Sequence, residues 1–332
     1  MKLHFVCNGN VFRSRLAAAY AKSYEVEGLE VTTSGMLAYK YEDQAEDWVS
    51  PWAMEIAKRE GIEGFFDKKR TVTTKKVLDS QDVIVFMNED IYKSAKAQFE
   101  LNEGKVLVWK VKDRDEWRKS LKLTAAQRKR RTKKHIRRKV RELMKIITET
   151  GWVDVVSEEN KFLGYSLPLR MANGKGLWRR GCHVVITTPS GGVMVQKRSR
   201  GIYFSPGLID VTLGGSIDAG EGIVGATVRE IFEETGIRVK KGQLRLLEVS
   251  KSAKWHRSKK VHSKLFVYTF HLMIDEEDPE LVLQEGEVEW MKVLTPRQIK
   301  KLIKERRLKA FGRLNYKREF YRRVVAKAWG EE

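Results

Sequence analysis

Glu230, Glu233 and Glu234 stand at i, i+3 and i+4 in Arg229-Glu-Ile-Phe-Glu-Glu-Thr-Gly236. On a helix that spacing brings three carboxylates to one face. They repel one another in water, and a hard divalent cation with oxygen ligands relieves the repulsion. Mg²⁺ or Mn²⁺ is the expected guest. A second set lies near the N-terminus, where Cys7 and Arg13 have five residues between them and Ser14 follows. A thiol and a guanidinium flanking one short loop suit the reception of an anion beside a nucleophilic sulfur.

Both sets need particular elements to hold them. Gly214, Gly215, Gly220 and Gly222 break regular structure ahead of the acidic residues, Ala226, Ile231 and Thr235 fit helical spacing, and Gly236 falls where a helix stops. The acidic set therefore sits on a loop followed by a helix. The thiol set reads as strand, tight loop, helix: Lys2–Cys7 is a short strand and Leu16–Lys22 is helical. A loop at a helix N-terminus points several N–H groups at an entering anion, and the same field favours a thiolate. Cys-x5-Arg alone arises by chance about once per thousand windows; its place between the first strand and the first helix is what gives it weight.

At 332 residues the chain exceeds one ordinary core and is expected to form two domains, 1–147 and 151–332. Hydrophobic residues at 42% and aromatics at 10% support folded domains. No run of 18 uncharged apolar residues is present to span a membrane, and the first residues lack an apolar signal core, so a cytoplasmic location is expected. Two cysteines, Cys7 and Cys182, give neither a disulfide framework nor metal-ligand spacing. The net charge of +21 is concentrated: Lys110 to Lys145 holds seventeen Lys/Arg against four Asp/Glu. Within 128–147, Ile136, Val140, Leu143 and Ile147 recur at helical spacing, which predicts an amphipathic helix with a basic outer face. That face suits RNA phosphates, an acidic partner or a membrane surface, or is simply solvated. After Gly151 the pattern is strand, turn, strand at 152–166, apolar strands at 182–187 and 193–198, then Asp210–Leu213, the acidic helix, strands at 244–250 and 264–273, and helices at 295–305 and 316–329.

The stretch Gly215–Ile237 resembles the Nudix box: Gly215, five residues, Glu221, seven residues, then Arg229-Glu230-Ile231-x-Glu233-Glu234-x-Gly236-Ile237. Seven fixed positions coincide by chance on the order of once in 10⁹ windows at ordinary residue usage. The resemblance implies an α/β/α sandwich with a mixed sheet and Mg²⁺- or Mn²⁺-dependent hydrolysis of a diphosphate linkage in a nucleoside diphosphate derivative or similar compound. Glu230, Glu233 and Glu234 then hold the metal, which acidifies a water that attacks phosphorus, with Glu221 as a further ligand or water-orienting group and Glu233 among the catalytic groups; Glu285 or Glu287 is a candidate base, Arg198 a candidate phosphate contact, and Arg229 a holder of glutamates. The flanking segments Gly181–Ile186 and Phe204–Gly215 look like the subgroup allied to isopentenyl diphosphate isomerase. Leu213 stands where that enzyme has its catalytic cysteine, and its metal-binding histidine is absent from Gly214–Ile217, so hydrolysis rather than isomerisation is expected.

The N-terminal loop Cys7-Asn-Gly-Asn-Val-Phe-Arg-Ser14 resembles the low-molecular-weight protein tyrosine phosphatases, and the likeness continues through Thr33–Gly35, Ala57–Ile62, Asp82–Met87 and Val108–Asp113. It implies a parallel sheet flanked by helices and cysteine-dependent hydrolysis of a phosphorylated protein or small phosphomonoester. Cys7 is then the nucleophile, Arg13 the phosphate clamp and Asp113 the general acid, with Asp115 in reserve, while Ser14 and Asn10 support the loop. Phe12, Arg15 and Arg114 depart from the family's cysteine, proline and proline. Two other readings stay open: an N-terminal half that senses phosphate without catalysis, and an RNA-associated Nudix protein.

Overall fold

The computed structural model describes residues 1–45, 47–67, 69–112, 123–202, 205–256, 261–305, 307–308, 312–313 and 318–331. They form two units, Met1–Gly151 with Leu167–Met171, and Trp152–Ser166 with Ala172–Glu332. Sequence reading gave 167–171 to the second part. Leu169 N–H donates to the Gly151 carbonyl (2.9 Å), a pairing that composition does not reveal.

In the first unit, β1 (Lys2–Cys7) is buried from Leu3 onward, as befits an inner strand covered on both faces. It lies between β2 (Glu30–Gly35) and β3 (Val83–Phe86), with β4 (Val106–Val108) outside β3, and every pairing is parallel. Parallel strands send their connections to the same end, so the loop after Cys7 opens at the carboxyl edge of the sheet, where ligands of such sheets bind. The loop leads into α1 (Arg13–Lys22), whose Leu16–Ala21 are all buried. Further helices are α2 (Pro51–Glu60), α3 (Lys75–Asp79), α4 (Glu89–Gln98) and α5 (Ala125–Glu149). α5 starts at a reciprocal cap, Thr124 accepting from Gln127 N–H and Gln127 from Thr124 N–H. Its stripe Ile136, Val140, Leu143 and Ile147 is buried as the spacing predicts, joined by Thr132 and Met144.

The second unit is built on a mixed sheet. β5 (Trp152–Val156) and β6 (Phe162–Pro168) lie beside β7 (Trp178–Thr187), which also pairs in parallel with β11 (Val261–Met273). β10 (Arg245–His256) is antiparallel to β11, and β8 (Val193–Arg198) joins β7 to β9 (Ile209–Asp210) and to β12 (Val288–Leu294). Successive residues of β7 point to opposite faces, and the sheet uses both. Val184 and Ile186 pack with Met194, Leu213 and Ile231 of α7 (Ile223–Thr235). Val185 packs with Ile299 and Leu302 of α8 (Pro296–Glu305) and with Tyr321 and Val324 of α9 (Arg318–Trp329). A short helix, α6 (Leu169–Lys175), follows β6; its residues up to Met171, with the last two of β6, belong to the first unit. The result is helix, sheet, helix, which matches the expected fold class. No helix among the described residues is long and apolar enough to cross a membrane.

Candidate functional site

Each unit carries one candidate site. In the first, Cys7 ends β1 opposite Gly35 of β2, and a side chain at Gly35 would meet the Asn8 carbonyl at 2.4 Å, so the loop backbone lies directly on that glycine. Asn10 holds the left-handed conformation (φ 53°) that turns the loop back. Its N–H donates to Cys7 Sγ (3.2 Å), its Nδ2 donates to Ser14 Oγ (3.1 Å), and its Oδ1 accepts from Thr71 N–H (2.9 Å). Ser14 Oγ lies 3.0 Å from Cys7 Sγ. The sulfur is thus met by a backbone N–H and a hydroxyl. Phe12, at the N-cap of α1, has no side-chain acceptor for the first-turn N–H groups, which leaves them facing the loop.

Arg13 is buried, and its Nη1 donates to the Val111 carbonyl (3.1 Å). This brings the segment after β4 to the arginine of the Cys7–Ser14 loop. Asp113, two residues beyond Val111, and Asp115 lie outside the described residues. Arg15, which replaces a proline of the resembled family, is fully buried, and its guanidinium donates to the Trp48 carbonyl (3.4 Å) and to that of Asp67. Burial lowers its pKa, opposed by the Asp67 charge. His4 is also buried, hydrogen-bonded to Thr32 and Ser34 at 2.7 Å each, and burial pushes it down to about 4, so it is a neutral strut under the loop.

In the second unit, α7 begins at Ile223 after the glycine-rich loop and ends at Gly236 in the left-handed conformation. Arg229 gathers the acidic residues: it donates to Glu221 (3.1 and 2.9 Å), Glu230 (2.9 Å) and Glu233 (3.0 Å). That hold raises the arginine's pKa and lowers that of Glu221. Glu230 lies against Gly215, where an added Cβ would come within 2.6 Å of its carboxylate. Glu234 accepts from Gln196 Nε2 (3.1 Å) and Gly214 N–H (3.3 Å).

Burial, opposed by Arg229, pushes Glu230 up to about 7. Burial and then the Glu230 charge push Glu234 up to about 8. Glu287, one of the two acidic-loop residues singled out above, adds to both shifts, and Arg198 opposes that of Glu234. Among the described residues, no three His, Cys, Asp or Glu side chains converge on a single point as a ready metal cage.

Gln196 is a member of the site that sequence reasoning missed. The available signal was an amide in the apolar run Val193-Met-Val-Gln. His183 is half-buried against the Phe320 ring, and desolvation pushes it down to about 4. Burial pushes the Cys182 thiol up to about 11, and Leu213 is in the core.

A thiol loop on a parallel sheet and an acidic helix on a mixed sheet are thus the candidate sites of a two-unit α/β chain. Residues 2–151 match the low molecular weight phosphotyrosine protein phosphatase family and residues 177–314 match the NUDIX domain family, and the chain is a fusion of the two. Its second half is similar to the uncharacterized Nudix hydrolase YfcD of Escherichia coli strain K12, 34% identical over 91 residues, or 27% of this chain and 50% of that one. It is also similar to the uncharacterized Nudix hydrolase PA4841 of Pseudomonas aeruginosa, 37% identical over 88 residues, 26% of this chain and 50% of that one. The chain spans about half the length of these curated relatives. Among solved structures it is similar to a low molecular weight protein tyrosine phosphatase from Bacillus subtilis, with TM-score 0.36 and 22% identity over 44% of this chain and 95% of that one.

Proposed function

We propose that the chain is a bifunctional hydrolase, with a Mg²⁺- or Mn²⁺-dependent diphosphatase in its second domain and a cysteine-dependent phosphomonoesterase in its first, joined between residues 147 and 151. The observation that carries the reading is the gathering of Glu221, Glu230 and Glu233 on one guanidinium with Glu234 buried beside them. Burying Glu230 and Glu234 is costly unless positive charge compensates them, and oxygen donors of this kind suit a hard cation. Glu230, Glu233 and Glu234 would hold it, with Glu221 as a further ligand. When bound, the cation supplies Lewis-acid charge neutralisation and an acidified water. Arg229 keeps three of the carboxylates together, Gln196 and the Gly214 N–H hold Glu234, and Glu287, whose charge acts on both Glu230 and Glu234, is with Glu285 the candidate base. The substrate is a diphosphate, of nucleoside or prenyl type; its identity rests with loops that no motif fixes.

In the first domain, Cys7 thiolate attacks phosphorus while Arg13 and the first-turn N–H groups of α1 hold the equatorial oxygens. The ester oxygen leaves with a proton from Asp113, and water then cleaves the phosphocysteine. Support comes from the Cys7–Ser14–Asn10 hydrogen bonds. Two assays test the reading. Release of a chromogenic aryl alcohol from its phosphate by wild type and Cys7→Ser is expected to differ by orders of magnitude, and equal rates end the phosphatase claim. Mg²⁺-dependent phosphate release from a panel of nucleoside and prenyl diphosphates is expected to single out one class, and release that survives chelation ends the metal claim.

A further inference from the structure

Neither proposed reaction uses the outer face of α5. Its inner face is committed to the core through Thr132, Ile136, Val140, Leu143, Met144 and Ile147. The opposite face presents Arg130, Lys134, Arg137, Arg138, Arg141 and Lys145, all exposed. Arg130/Lys134, Lys134/Arg138, Arg137/Arg141 and Arg141/Lys145 are like-charge pairs at i and i+4, an arrangement that destabilises a helix. A helix present only to pack against α1 gains nothing from them.

Neighbouring acids offset part of this charge. Arg137 lies 3.3 Å from Glu60, Arg138 lies 3.8 Å from Glu142, and Lys145 lies 3.8 Å from Glu149. The last two are exposed pairs of the kind that exchange readily for other anions. Arg130, Lys134 and Arg141 have no acidic partner within 4.0 Å among the described residues.

We propose that this ridge binds the phosphate backbone of a nucleic acid strand. At about 1.5 Å of rise per residue, the six cations from Arg130 to Lys145 spread over about 22 Å, roughly one per 4 Å. A nucleic acid strand carries one negative charge per about 3.4 Å, so the two charge rows run nearly in step. Four of the six are arginines, whose fork takes phosphate oxygens two at a time. A lipid surface fits less well, because the exposed ridge offers no aliphatic or aromatic side chain to insert between acyl chains.

The test uses the full-length protein and a fluorescein-labelled, unstructured single-stranded RNA of about 20 nucleotides, followed by anisotropy across salt. Six phosphate contacts predict a log–log salt slope of about −4, or about a 300-fold loss of affinity between about 50 and 200 mM salt. In Arg130→Gln/Lys134→Gln/Arg141→Gln the slope is expected to fall to about −2, with affinity at low salt down at least about tenfold. A control, Lys241→Gln/Lys301→Gln/Lys304→Gln, removes the same charge from exposed positions of the second unit and is expected to leave slope and affinity unchanged. Far-ultraviolet circular dichroism checks that α5 persists, since glutamine retains helix propensity.

The proposal is overturned if the ridge variant binds as wild type does, or if both variants lose affinity equally, which assigns binding to overall charge. It is also overturned if RNA fails to bind while phosphatidylserine vesicles do. Arg130, Lys134 and Arg141 lie outside the phosphatase machinery, so aryl phosphate turnover is expected to be unchanged.

Discussion

Metal affinity in the second domain should depend steeply on pH, and the structure sets the size of the effect. Burial raises Glu230 to about 7 and Glu234 to about 8, and a cation binds only the ionised forms. At pH 9 about nine molecules in ten have both groups ionised, at pH 7 about one in twenty, and at pH 6 about one in a thousand. Apparent Mg²⁺ affinity should therefore fall about 20-fold from pH 9 to pH 7 and about 1,000-fold from pH 9 to pH 6.

The same shifts fix the sign of the stability change. The ordinary carboxyl value is 4.5, so between about 4.5 and 8 the folded chain holds protons that the unfolded chain has released. Metal-free protein should then lose stability as pH rises through that window. Mg²⁺ should restore the loss, and Glu234→Gln should flatten its upper part. Isothermal titration of Mg²⁺ into the protein at pH 6, 7, 8 and 9, with thermal unfolding alongside, measures both. Equal affinity at pH 6 and pH 9 would refute the reasoning.

Further substitutions probe single contacts. Gly215→Ala drives a Cβ to 2.6 Å from the Glu230 carboxylate and should lower diphosphate turnover at least about tenfold by displacing it, which steady-state kinetics on the preferred diphosphate will read. Gln196→Leu leaves Glu234 with one hydrogen bond fewer and should lower Mg²⁺ affinity about 10- to 100-fold, measured by the same titration. Asn10→Ala removes the side-chain bonds to Ser14 and Thr71 and keeps a positive φ without the side chain that tolerates it; urea unfolding should show a loss of about 1–3 kcal/mol. Ile136→Ala opens a cavity in a fully buried site of α5 and should cost about 2–5 kcal/mol in the same assay.

Much of this was legible in the residues, because periodic patterns and short-range motifs carry local geometry. The α5 stripe gave its buried face, and Gly215 to Gly236 gave the loop, the helix and its stop. What escaped depends on pairings distant in sequence. Nothing in Val193–Gln196 announces that the amide meets a glutamate 38 residues later, and nothing near Arg13 announces its bond to the carbonyl of Val111. Arg229 stood in the box as a holder of glutamates, yet that it spans Glu221, Glu230 and Glu233 at once needs the folded loop. β10 and β11 run longer than their apolar cores suggested, to His256 and back from Val261, because strand pairing extends through polar residues that periodicity does not mark.

The central claim is that acidic side chains on α7 serve hydrolysis of a diphosphate through a divalent cation. The most direct measurement compares Mg²⁺-dependent phosphate release from the preferred diphosphate by wild type and by Glu233→Gln/Glu234→Gln, with circular dichroism confirming the fold. Loss of at least about 100-fold in kcat/KM, about 2.7 kcal/mol of transition-state stabilisation, is the predicted result. Undiminished release by the folded variant would contradict it.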